Sequence, residues 1–248
     1  MMRTANPALN DAAFTGFGRA DAGATMTIQG TVNKTIALLL LLVLSASWTW
    51  RLYYTPEGQQ ALLPWMLGGV FGGLVVAVVL AFKKSWAPVL APAYALLEGL
   101  ALGGISSVFE GRYPGIVIQA VGLTFGTLFA LLLAYKSGLI RATENFKLGV
   151  AAATGGIFVF YLVTMVLGFF QIRIPYIHES GAIGIGFSLF VVVVAALNLV
   201  LDFDFIEAGA RQGAPHYMEW YGSFGLLVTL VWLYLEILRL LAKMRSRK

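Results

Sequence analysis

The chain has 248 residues, of which 59% are hydrophobic and only 12% charged, with a net charge of +5 and no cysteine. That much apolar surface exceeds what one soluble core can bury, so the composition is that of a membrane protein. The missing cysteines exclude disulfides, thiolate catalysis and thiolate metal sites, and two histidines, His178 and His216, are too few for a His-rich zinc cluster.

In chain order, residues 1–33 form a polar leader rich in Gly, Ala and Thr, with Arg3, Asp11, Arg19 and Asp21, expected to be mobile and cytoplasmic. Apolar residues begin only after Lys34, too late and for too long to be a cleaved signal. Residues 34–248 are expected to hold seven membrane spans: Thr35–Trp50, Leu62–Phe82, Ala87–Ser107, Pro114–Tyr135, Leu148–Phe170, Gly181–Leu201 and Gly222–Ala242. Each approaches the roughly 20 residues that a hydrocarbon layer of about 30 Å demands of an α-helix. Trp48, Trp50, Tyr53 and Tyr54 extend the short first run as an interfacial aromatic belt. The runs are continuous and rich in Leu, Ala and Gly, without the alternation a β-barrel strand requires, so the expected fold is all-α.

Small residues recur one turn apart in Gly68 with Gly72, Gly69 with Gly73, Gly99 with Gly103 and Gly122 with Gly126. Such pairs let helix backbones approach closely, and packing within one monomeric bundle is expected of them. Pro88 and Pro92 fall in the first turns of the third span, where proline costs little. With the leader in the cytoplasm, Lys83, Lys84, Lys136, Arg141, Lys147 and Arg211 lie inside, against Arg51, Arg112 and Arg173 outside. The basic tail of Lys243, Arg245, Arg247 and Lys248 opposes that orientation if all seven spans cross. These cations are read as orientation signals and headgroup anchors rather than as a nucleic-acid surface.

Four acids stand in or at the ends of apolar runs, where an ionisable group needs a partner, water or a passing ion. Glu98 lies midway along the third span with apolar neighbours all round, which directs it to the bundle interior. Asp202 and Asp204 close the sixth span; two residues apart, they point about 200° apart, so at most one faces a common centre. Asn198, one turn before Asp202, shares its face and makes Asp202 the inward one, with Asp204 free to be solvated at the helix end. Glu236 sits near the end of the last span, where Arg239, three residues on, can pair with it, or where it can reach a carboxyl on another helix.

These residues in this order resemble the transmembrane Bax inhibitor motif family, and its bacterial members in particular. The likeness rests on seven spans, Glu98-Gly99 and Gly103 in a small-residue third helix, Leu201-Asp202-Phe203-Asp204 ending the sixth, and Leu233-Tyr234-Leu235-Glu236-Ile237-Leu238-Arg239 in the seventh, with Met26 to Lys34 in the leader. The resemblance implies a seven-helix fold with the last helix central, and a pH-sensitive calcium leak channel of the bacterial inner membrane. It also implies a carboxyl dyad, with Asp202 in the first position and Glu236 in the second; the pairing of Glu98 with Glu236 stays open beside it. The family's usual Tyr-Asp is here Leu201-Asp202, its commoner aspartate in the last helix is here Glu236, and the stretch between the two acids is long. Two carboxyls within a few ångströms cannot both ionise cheaply, so they share a proton, and its loss leaves an oxygen-rich site of the kind calcium takes transiently.

Other classes fit less well. Gly184-Ile185-Gly186-Phe187 lacks the aspartate of an intramembrane aspartyl protease, His178-Glu179 is not followed by a second histidine, no Gly-x-Ser-x-Gly elbow occurs, and no span holds a lysine for retinal. An enzyme is not expected, nor is a cofactor or a stable metal. A non-conducting interaction protein that modulates a membrane protease, and a proton-coupled antiporter, are the competing expectations. The bilayer, protons and calcium are the expected partners, a membrane protein a further one.

Overall fold

Seven α-helices occupy the computed structural model, which describes residues 25–56, 58–170 and 181–247. They are α1 Ile28–Tyr53, α2 Gly58–Phe82, α3 Ala87–Arg112, α4 Ile116–Lys136, α5 Glu144–Phe169, α6 Ala182–Arg211 and α7 Met218–Ser246. All seven are long and apolar enough to cross a membrane. The leader residues Arg3, Asp11, Arg19 and Asp21, and the loop residues Arg173 and His178, lie outside the described residues.

Most spans outrun at least one expected end, because flanking polar residues continue or cap the helical hydrogen bonding, whereas α4 begins two residues late, at Ile116. α1 starts at Ile28, inside the stretch assigned to the leader, since Thr27 caps it by accepting a hydrogen bond from the Gly30 N–H. Thr143 caps α5 in the same way through the Phe146 N–H, with Glu144 in the first turn where the helix dipole favours an acid. α6 and α7 run on through Arg211 and back from Met218, so the polar stretch between them shrinks to a six-residue turn containing Gly213 at φ 64°.

The described residues divide into two compact units: residues 25–56, 58–114 and 204–228 in one, residues 115–170, 181–203 and 229–247 in the other. In the α1–α3 unit the expected close approach is made by glycine. A methyl group on Gly99 would strike the Leu42 carbonyl and the Ser45 hydroxyl of α1, and one on Gly103 the Ala46 carbonyl. Gly69 of α2 meets the Leu97 carbonyl of α3 in the same way, at 2.5 Å from where its Cβ would stand. Gly68, Gly122 and Gly126 face open space instead, so these three of the eight serve no contact.

In the α4–α5 unit, Ile157 of α5 packs with Val191 and Val194 of α6, covered by Tyr161, Phe187 and Trp232. Lys243 is buried there and donates to the Gly184 carbonyl at 3.0 Å and the Ser188 hydroxyl at 2.9 Å. Lys147 is buried as well, 3.6 Å from Glu144. Neither is the headgroup anchor expected of it, because both ammonium groups are engaged by the protein. α7 is the most enclosed span, with 67% of its apolar stretch inside protein against 11% for α5.

Candidate functional site

Glu236 and its partners stand within the α4–α5 unit. Its Oε1 accepts from Arg239 Nη1 at 2.7 Å and from the Tyr161 hydroxyl of α5 at 3.1 Å, and Arg239 Nη1 also donates to the Tyr161 oxygen at 2.8 Å. The guanidinium lies over the Tyr161 ring, 5.4 Å from its centroid. The three groups close a ring in which the carboxylate is 2% exposed and the arginine 43%, so the cation reaches outward while the acid stays inside. Glu236 Oε2 is buried and accepts no hydrogen bond.

Asp202 is 1% exposed, and neither of its carboxylate oxygens has a hydrogen-bond partner. It faces the Thr229 hydroxyl of α7, an approach that falls short of good hydrogen-bond geometry. The register of the α6–α7 hairpin explains that neighbour. Ser188 meets Lys243, and Asp202 lies fourteen residues after the one as Thr229 lies fourteen before the other. Glu236 is seven residues beyond Thr229, about 10 Å along the helix at 1.5 Å per residue. The structure therefore does not bring Asp202 and Glu236 together. Asn198 also turns elsewhere: its Nδ2 donates to Thr154 of α5 and to the Val194 carbonyl, both at 2.8 Å, tying α6 to α5.

Glu98 and Asp204 belong to the α1–α3 unit. Glu98 is half-buried, and its carboxylate lies beside the hydroxyl of Tyr94, one turn earlier on α3. The Tyr94 ring in turn meets Phe224 edge to face, with centroids 4.9 Å apart. Asp204 is half-buried where α6 enters this unit.

The same unit holds a cluster absent from the sequence reading. Glu219, fully buried in the first turn of α7, accepts from the Thr27 N–H and the Thr27 hydroxyl, each at 2.8 Å, and pairs with Lys34. His216 Nδ1 stands 3.4 Å from its other oxygen. The signal was a Glu at a helix start; nothing in the sequence pointed 185 residues back to Lys34. Among the described residues no group of three His, Asp or Glu side chains is placed to hold a metal ion.

Seven apolar helices with acids enclosed among them define a polytopic integral membrane protein. The chain belongs to the Bax inhibitor 1 like family, whose model matches residues 6–246. No curated protein and no solved structure gives a significant match.

Proposed function

We propose that the protein is a pH-sensitive cation leak of the bacterial inner membrane, with calcium among the ions passed and its amino terminus in the cytoplasm. The observation that carries this reading is Asp202, a buried carboxyl neither of whose oxygens accepts a well-formed hydrogen bond. An ionised carboxylate in such surroundings costs several kcal/mol, so the group exchanges a bound proton for a passing cation. Within the α1–α3 unit, Glu98, beside Tyr94, and Asp204 are further carboxyls able to exchange protons. Glu236, already neutralised by Arg239, positions α7 instead of taking up the ion. That neutralised pair also favours, over an antiporter, a non-conducting interaction protein as the second reading, because it removes one of the carboxyls that transport would use.

Reconstitution in liposomes loaded with a calcium dye tests it across a pH series. Flux that varies with pH and is lost in Asp202→Asn is expected. A protein that passes no ion at any pH refutes the leak and leaves the interaction protein; flux that demands an opposing proton gradient identifies the antiporter.

A further inference from the structure

The amino-terminal end of α1 is tied to the α6–α7 turn by more contacts than packing of an apolar helix requires. Thr25 and Pro215 form an antiparallel bridge, and the Met26 N–H donates to the Ala214 carbonyl at 2.6 Å. The Ser223 hydroxyl of α7 donates to the Thr31 carbonyl at 2.9 Å. At the centre, Glu219 takes both Thr27 donors and Lys34, whose ammonium also lies 5.5 Å from the centroid of the Trp220 ring. A side chain at Gly30 would run into the Glu219 carboxylate, so the strand of contacts is built around that acid. Every one of these partners sits at the start of α1, in the turn, or in the first turns of α7.

We propose that residues 25–31 are a strap that Glu219 locks onto α7, and that the closed strap restrains this helix and the leak through it. The chemistry suits a lock. A buried carboxylate holding a backbone N–H, a hydroxyl and an ammonium is strong while all three are present, and removal of its charge weakens all three together. The restraint rests on the leak reading; the lock does not. α7 runs unbroken from Glu219 through Thr229, the residue that faces Asp202, which gives a held first turn its route to the leak.

The absence of native cysteine permits a direct test. Opposed residues of an antiparallel pair lie about 4.5–5.5 Å apart between Cα atoms, a separation a disulfide spans. Thr25→Cys with Pro215→Cys should therefore cross-link on mild oxidation, and in full-length protein in liposomes the oxidised form should leak severalfold less than the reduced. Glu219→Gln, and independently Lys34→Met, should slow the cross-linking severalfold and raise the leak. Equal leak in the verified cross-linked and reduced forms overturns the restraint, and unchanged cross-linking in both variants overturns the lock. A parent protein that passes no ion removes the leak reading and the restraint with it, while the cross-linking rates still decide the lock.

Discussion

Removing the two partners of the Glu236–Arg239 pair should have unequal costs, because only one of them is free to reach water. Arg239→Gln leaves a carboxylate that is 2% exposed with Tyr161 as its remaining donor. Breaking a fully buried pair costs about 3–5 kcal/mol, and the half-exposed arginine reduces this to about 2 kcal/mol. Glu236→Gln leaves Arg239 able to turn outward while the amide still accepts from Tyr161, for about 1 kcal/mol or less. For a chain of this size each kcal/mol moves Tm by about 2–4 °C. Thermal unfolding in one detergent should then show Arg239→Gln lowered by about 4–8 °C and Glu236→Gln by no more than about 4 °C. The double variant should resemble Glu236→Gln alone, since the buried charge that made the arginine necessary is gone. A Glu236→Gln protein less stable than Arg239→Gln, or additive losses in the double variant, would refute the ring as described.

Asp202→Asn and Glu236→Gln should act independently on flux and stability, within about 0.5 kcal/mol of additivity, because helix register separates them; a coupling of about 1 kcal/mol or more would restore the shared-proton dyad. Glu98→Gln should keep the fold, as the neutral amide retains the capacity to hydrogen-bond, yet shift the pH midpoint of flux; an unchanged flux profile would reduce Glu98 to a structural role. Gly99→Ala should lower Tm sharply by driving a methyl into the Leu42 carbonyl, whereas Gly122→Ala, which meets no atom within 4 Å, should be neutral or stabilising by up to about 1 kcal/mol. Lys243→Met should cost about 1–3 kcal/mol through the loss of two charged hydrogen bonds to the start of α6, read in the same unfolding assay.

The helices were legible because the bilayer demands continuous apolar length, a signal that needs no knowledge of neighbours. Their ends were not. Thr27 and Thr143 extend α1 and α5 through caps in polar stretches that hydropathy alone assigns to loops. Intrahelical chemistry could be read where spacing sufficed: Arg239 three residues after Glu236 was seen, and Tyr94 four before Glu98 could have been. Tyr161 and Lys34 could not, since each reaches its acid across a distance in the chain that no local period encodes. The sequence reading weighed Asp202 against Glu236 from their separation along the chain, whereas the α6–α7 turn sets which residues share a depth. Reading every flanking cation as a headgroup anchor missed Lys147 and Lys243, which turn inward to partners the chain spacing does not reveal.

The uneven use of glycine sets where this protein can bend. Between α1 and α3, Gly99 and Gly103 bring the backbones so close that parting them by even the width of a methyl group would forfeit contacts along the seam, so the pair behaves as a stiff strut. In α4 and α5, a methyl group at Gly122, Gly126, Gly149, Gly155 or Gly156 would meet no neighbouring element within 4 Å, and each glycine weakens its helix by roughly 1 kcal/mol relative to alanine with no close approach in return. Compliance is thereby concentrated in two helices that are only 17% and 11% enclosed. Flexing them displaces mainly lipid.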